Sequence, residues 1–306
     1  SGPAGGVVGA FYTAMQAGYP DIITVDMGGT STDVSLCPGE IKETTSANVG
    51  GYPIGVPMID IHTMGAGGGS IARVDTGGAL VVGPESAGAE PGPACYGVGD
   101  QITVTDANLL LGRLLPDRFL GGRMTLDRDR VVGLMQVLAG QINADANQTA
   151  LGINRVVNAN MERAIRTISL ERGYDPRLFT LVPFGGAGPM HACELAQELR
   201  IPRVLVPVHP SILSALGVAT ADVVKDYSRT VMLKGDALTA TAADGAFQPL
   251  EAHGVEELAR EGFGSDRLVL QRLLDVRYVG QSYELTVPCP PTGEQDFHDA
   301  VAAAFH

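Results

Sequence analysis

The sequence predicts an α/β protein: a sheet-based lobe with an inserted helical subdomain, followed by the start of a C-terminal β-containing domain. Three stretches carry that expectation. Asp21 to Met27 (DIITVDM) is rich in β-branched residues and Thr32 to Cys37 (TDVSLC) alternates, so the intervening Gly28-Gly29-Thr30-Ser31 reads as a hairpin with a glycine turn. Phe179 to Phe184, the loop Gly185-Gly186-Ala187-Gly188, a helix to Leu199 and Arg203 to Val208 run strand, glycine loop, helix, strand, which is a βαβ unit. Between them, Gln148 to Arg172 places Ile153, Val156, Val157, Met161, Ala164, Ile165 and Ile168 on one helical face, with Gly173 as its stop.

The remaining elements follow from local pattern. Val7, Val8, Ala10, Phe11, Ala14 and Met15 recur at helical spacing between Pro3 and Ala17, and Gly18 closes that helix. A strand from Glu40 to Thr44, after the Pro38-Gly39 turn, would extend the hairpin into a three-stranded meander. Gly65 to Ser70 and Gly77 to Gly99 are too rich in Gly and Pro for regular elements, and such loops commonly line a site or an interface. Thr105 to Leu115 and Arg128 to Gly140 read as helices separated by Pro116, giving a helical insertion over about 105–145. The texture changes past Tyr227: Glu251 to Gly262 reads as a helix and Leu268 to Val287 as two strands turning at Gly280. The boundary is placed near 230, dividing the chain into 1–230 and a partial domain at 231–306.

Composition narrows the function. A net charge of −13 with no local basic patch argues against a nucleic-acid partner, because phosphates would be repelled. With 45% hydrophobic and 18% charged residues the chain has enough apolar area to fold. The 40 glycines cluster instead of recurring every third residue, which excludes collagen. Cys37, Cys95, Cys193 and Cys289 form no close pair and read as reduced thiols. No apolar run approaches the ~18 residues of a membrane helix and no signal peptide is evident, so a cytoplasmic protein with no membrane partner is expected. The opening Ser1-Gly2-Pro3-Ala4-Gly5-Gly6 looks like the middle of a loop entering a helix, as in a fragment.

The chemistry concentrates in three places. In Val25-Asp26-Met27-Gly28-Gly29-Thr30-Ser31-Thr32-Asp33 a strand ends in a carboxylate, and a glycine turn then bares backbone N–H groups beside hydroxyls. Such donors can grip phosphate oxygens while Asp26 holds Mg²⁺ through water; a plain hairpin capped by Asp26 and Asp33 would have the same sequence. In Pro183 to His191 a strand leads through Gly185, Gly186, Ala187 and Gly188 to a helix start, where a nucleotide can lie over bare backbone. The first element followed over a hundred residues later by the second is the pattern of one half of the actin-like ATPase fold. Third, Asp60 and His62 would point the same way on a strand and could share a divalent metal or relay a proton, with His191 or Glu90 as a third ligand; a hydrogen-bonded pair is the simpler alternative. The glycines after them, including Gly67 and Gly68, read as ligand-facing. On the long helix, Glu162 and Arg166 are spaced as an i,i+4 ion pair, with nucleotide contact from Asn158 or Arg163 as the sharper alternative.

The segments SGPAGGVVGA, VDMGGTSTDVSL, IDIHTMGAGGGSIARVD, GPESAGAEPGPACYG, TVTDANLLLGRL, FGGAGPMHACELA and PSILSALGVATADVVKDYSR resemble the hydantoinase A/5-oxoprolinase family. The likeness runs from residue 1 to about 230, and RLLDVRYVGQSYELTVP resembles the start of that family's C-terminal domain. The resemblance implies an actin-like ATPase that couples ATP, with Mg²⁺ or another divalent metal, to opening a cyclic amide or carboxylating a ketone. It implies that Asp26, Gly28, Gly29, Thr30 and Asp33 match the family's second phosphate motif, beside which Ser31 is a further candidate phosphate contact, and that Gly185, Gly186, Ala187 and Gly188 match its adenosine loop. A second large subunit or domain is an implied partner, and a homo-oligomer stays open. The family's first phosphate motif, of the DxGGTFTD type, does not occur in these residues. A small-molecule kinase and a non-catalytic nucleotide-binding subunit remain the alternatives.

Overall fold

Side chains that alternate, or that are apolar on both faces, decide which segments enter the sheet. The computed structural model describes residues 2–44, 47–49, 52–54, 58–291 and 297–305, and the chain divides into two units, Ser1–Ala221 and Asp222–His306. The first unit opens with α1 (Gly2–Gln16), β1 (Asp21–Met27) and β2 (Thr32–Pro38). The short strands β3 (Glu43–Thr44), β4 (Ala47–Val49), β5 (Tyr52–Ile54), β6 (Met58–Ile59) and β7 (His62–Met64) come next, then the hairpin β8 (Ser70–Val74) and β9 (Leu80–Ser86). Three helices follow, α2 (Val104–Leu110), α3 (Arg128–Gln141) and α4 (Ala146–Ile168), and then β10 (Thr180–Phe184), α5 (Ala192–Leu199), β11 (Arg203–Val204) and α6 (Leu213–Thr220).

The main sheet has the order β11-β10-β1-β2-β7. β1 is parallel to β10 and antiparallel to β2, and β10 is parallel to β11, so the βαβ unit forms as its sequence pattern predicts. The period of two sorts the side chains: Ile23, Val25 and Leu181 join one core and Ile22, Val182 and Phe184 the other. The first core is completed by α2, α3, α4 and α5 through Leu109, Met135, Ile153, Met161, Ile165 and Leu195, so the helical stretch within 105–145 shares a core with the sheet. The second face is covered by α1 through Val7, Ala10 and Ala14, with Leu213 at the start of α6.

Local pattern misassigns two regions. Glu43–Thr44 does not continue the meander; it pairs with β6, while the free edge of β2 takes β7 in the register Thr32↔Met64 and Val34↔His62. A turn signal at Pro38-Gly39 cannot say which later segment will win an edge, because partner choice is set by cross-strand contacts such as Thr63 Oγ1 to Asp33 Oδ1 at 2.5 Å. The stretch Gly77 to Gly99, read as loop throughout, contains β9, whose hairpin with β8 is fixed by Asp75 Oδ1 accepting from the N–H groups of Gly77 and Ala79, each at 2.9 Å. The remainder, Ala87 to Gly99, is irregular except for a 3₁₀ turn at Ala94–Tyr96. It is pinned by the fully buried Asp106, whose carboxylate accepts from the N–H groups of Ala94 (3.1 Å), Cys95 (2.8 Å) and Thr103 (2.8 Å) and from the Thr103 hydroxyl (2.8 Å).

The second unit holds α7 (Ala240–Arg260), the antiparallel pair β12 (Leu273–Val276) and β13 (Leu285–Pro288), and α8 (Phe297–Phe305). α7 begins eleven residues before the expected Glu251 because Thr239 caps it, accepting from Ala242 N–H at 3.2 Å, and its first turns are alanine-rich. Arg272 joins Glu251 (2.5 Å) and Asp244 (2.9 Å) and lies over the Phe247 ring at 5.2 Å, tying β12 to α7 around the small core of Ala243, Phe297 and Val301. Among the described residues no helix is long and apolar enough to cross a membrane.

Candidate functional site

Because β1 and β10 are adjacent and parallel, with Asp26 opposite Phe184, the turns that follow them leave the sheet at the same edge. In open α/β sheets that carboxyl edge is where ligands bind. The two turns touch: Ala187 N–H donates to Met27 O at 2.9 Å, and Gly185 N–H donates to Pro210 O at 3.0 Å, so the His209-Pro210-Ser211 turn braces the loop from the β11 side. Gly185 has φ +78°, and a Cβ there would meet Asp26 Oδ1 and lie 2.5 Å from Met27 O. Gly185→Ala is therefore expected to cost about 2–3 kcal/mol, from the left-handed backbone and the overlap together. On the reading of this loop as an adenosine seat, the same change is expected to weaken nucleotide binding roughly tenfold, a loss of 1.4 kcal/mol in affinity. Urea unfolding and titration with a fluorescent ATP analogue measure the two.

The first turn has a front and a back. Gly68 N–H donates to Gly28 O at 2.9 Å and Gly69 N–H to Gly29 O at 2.6 Å, so both carbonyls face the glycine loop behind them. In a trans peptide the N–H points opposite to the C=O. The N–H groups of Gly29 and Thr30 accordingly point to the front, where both residues are exposed. Successive backbone N–H groups aimed one way make an anion-binding concavity. Half-buried Ser31 closes the turn, its carbonyl accepting from Gly28 N–H at 3.0 Å.

Gly67 and Gly68, expected to face a ligand, are buried behind this turn. A Cβ on Gly67 would sit 2.6 Å from Thr30 N and from the Gly29 carbonyl carbon, and one on Gly68 would sit 2.8 Å from Thr105 Oγ1. Their lack of side chains serves close backbone packing. Thr105 anchors them from α2, donating to Gly68 O through both N–H (2.7 Å) and hydroxyl (2.8 Å).

Asp26 and Asp33 face each other across β1 and β2. Burial, and then the charge of Asp33, push the Asp26 carboxyl up to about 6, against a smaller lowering by a hydrogen bond from the Ser214 hydroxyl on α6. A raised carboxyl beside a second carboxylate at a ligand edge fits a divalent cation, whose charge would offset the repulsion between the two. Mg²⁺ needs only one or two carboxylates besides water and phosphate oxygens.

The expected metal pair Asp60 and His62 is not assembled as a site. Asp60 is ion-paired with Arg172, and among the described residues no three His, Cys, Asp or Glu side chains converge. His191, a candidate third ligand, is fully buried and hydrogen-bonded through both ring nitrogens to Asn108 and Asn158, and Glu90 is exposed. On α4, Glu162 and Arg166 form the surface i,i+4 pair at 2.7 Å, whereas Asn158 turns inward to His191. Sequence reasoning missed Ser214, Thr105 and Asp106. Thr103-x-x-Asp106 is a readable capping box and could have marked the start of α2; nothing local marks Ser214, which reaches Asp26 only through the fold.

Residues 1–227 match the model of a family described as hydantoinase/oxoprolinase. The chain is 42% identical over 293 residues to caprolactamase subunit alpha of Pseudomonas jessenii, covering 94% of this chain and 42% of that protein. It is 36% identical over 323 residues to 5-oxoprolinase 1 of Arabidopsis thaliana, covering 99% of this chain and 25% of that one. Its fold matches a nucleotide-free structure of acetone carboxylase, from work on ATP-dependent acetone carboxylation, with a TM-score of 0.84 at 31% identity over 100% of this chain and 45% of that one. The chain spans less than half the length of each of these proteins.

Proposed function

The chain belongs to the hydantoinase/oxoprolinase family, and from that premise we propose that it supplies the phosphate turn and adenosine loop of an enzyme that uses ATP to open a cyclic amide of the 5-oxoproline or hydantoin type. One observation carries this reading: two glycine turns leave one sheet edge in contact, with the ionisable Asp26 between them. ATP supplies a γ-phosphoryl group that can convert an amide oxygen into a good leaving group. The N–H groups of Gly29 and Thr30 bind phosphate oxygens, with the Thr30 and Ser31 hydroxyls beside them. Asp26 holds Mg²⁺ or orients the attacking group, and Asp33 keeps negative charge near that cation. Gly185 to Gly188 receive the adenosine, with exposed Gly186 open to a ring since nothing lies within 4 Å of its Cβ position. These are positioning and electrostatic roles, which supply most of the rate in phosphoryl transfer. In this proposal the unit Ser1–Ala221 is most of one lobe of an actin-like ATPase, and a second subunit or domain completes the site, as the subunit name of the caprolactamase relative suggests.

The match to acetone carboxylase favours a second reading, ATP-dependent carboxylation of a ketone. A substrate panel separates them. ATP hydrolysis by the complete protein is expected to rise at least about tenfold, or 1.4 kcal/mol in barrier, with 5-oxoproline, a methylhydantoin or caprolactam. Stimulation by acetone and bicarbonate alone would assign the carboxylase, and a phosphorylated polyol with no amide effect would refute both.

A further inference from the structure

Behind the adenosine loop a chain of polar side chains crosses the apolar core. Asn154 Nδ2 donates to Asn108 Oδ1 at 2.9 Å, leaving the Asn108 amide nitrogen to meet His191 Nε2 at 3.2 Å. His191 Nδ1 lies 2.8 Å from Asn158 Oδ1, while Asn158 Nδ2 donates to Glu194 Oε2 at 2.5 Å. Glu194 is ion-paired with Arg113, which also donates to Met190 O at 3.0 Å. The directions leave one solution for the ring: Nδ1 carries the proton and Nε2 accepts. Burial, with the nearby Arg113 charge, holds His191 down at about 4, so it is neutral across the working range. His191 follows directly on Gly185–Met190, and its own N–H donates to Gly188 O at 3.1 Å.

Such a network is a costly way to fill a core, since well-packed apolar residues would do as well or better, and Asn154 Oδ1 lacks a partner among the described residues. What it provides is direction, because it joins the end of the loop to α2 and α4 along oriented bonds. We propose that His191, as a neutral Nδ1–H imidazole, is a positioning residue that sets the height and angle of the Gly185–Met190 loop against β1 for nucleotide binding. The inference rests on the nucleotide reading above. His191 is fully buried behind the loop, so in this proposal its loss acts on ATP affinity and not on chemistry.

The test uses His191→Leu and His191→Gln in the complete protein. Gln offers an N–H to Asn158 and an oxygen to Asn108; Leu offers neither. Leu is expected to raise the KM for ATP and the Kd of a fluorescent ATP analogue at least tenfold with kcat within about threefold, and Gln to restore both to within threefold of wild type. A folded Leu variant with unchanged KM, or a Gln variant as impaired as Leu, overturns the proposal. Should Leu not fold, imidazole ¹⁵N shifts of the wild-type chain decide: Nδ1 protonated and Nε2 bare from pH 8 to 5 support it, and an Nε2–H ring or one titrating near 6.5 overturns it. Wild-type protein that binds no ATP overturns the nucleotide reading and this inference together, whereas wild-type binding with an indifferent Leu variant overturns this inference alone.

Discussion

Asp26→Asn is expected to abolish ATP turnover while making the fold more stable at neutral pH. In the role proposed for Asp26 its charge holds the cation and orients the attacking group, so its removal should lower kcat by about 10³, the scale for removing one such electrostatic group. The gain in stability has the same origin. Burial and the neighbouring Asp33 push the Asp26 carboxyl up to about 6 from its ordinary 3.8, so between those values the folded chain holds a proton that the unfolded one releases. That charging cost is absent below pH 3.8, grows as pH rises to 6, and is complete above it. Asn removes it. After discounting for the partial exposure of the group, the gain is about 1–2 kcal/mol at pH 7–8 and vanishes near pH 4. His191 works in the opposite direction: depressed to about 4 from 6.5, it lowers stability as pH falls from 6.5 to 4, by about 3 kcal/mol in full. The two partly offset each other in the wild type. Urea melts at pH 4, 6 and 8 should therefore show a steeper rise with pH in the variant, and a variant no more stable than wild type at pH 8 refutes the assignment of Asp26 as a strained carboxylate.

Gly217→Ala is the second large effect. α1 and α6 cross so closely that a Cβ on Gly217 would fall inside the Gly5 carbonyl oxygen and lie 2.6 Å from Gly9 N, while one on Gly5 would lie 2.6 Å from Ser214 O. Backbone is met on each side, so no side chain can swing away and the helices must separate. A loss of about 3 kcal/mol or more follows, at or above the upper end for an overpacked core. The damage should reach the site. Gly6 rests against the ring of Phe184 at the end of β10, and Ser214 on α6 supplies the hydroxyl that restrains Asp26. The variant should melt earlier and also bind nucleotide more weakly than Leu216→Ala, a change on an exposed position of the same helix.

Much of this was legible in the sequence wherever one residue's neighbours in space are also its neighbours in the chain. β1, β2, the face of α4 and the strand–glycine–helix unit follow from periodicity, and both glycine turns lie where their motifs put them. What failed was long-range. The motif GAGGGS is the same string whether it meets a ligand or the rear of another turn, and only tertiary contact makes Gly67 and Gly68 a backing. Asp60 and His62 suggested a metal pair by spacing alone, but the carboxylate meets Arg172 from over a hundred residues away. His191 looked like a ligand for want of its partners, which come from α2 and α4.

The two-sided geometry of Gly28–Thr30 sets which ions this edge can admit. With the Gly28 and Gly29 carbonyls turned to the rear, the proposed phosphate contact relies on peptide N–H groups, which would give a polyanion a foothold even on a chain of charge −13. Fixed peptide dipoles at contact distance are screened far less by dissolved salt than a diffuse basic patch would be, so the proposed contact should persist at ionic strengths that erase long-range attraction.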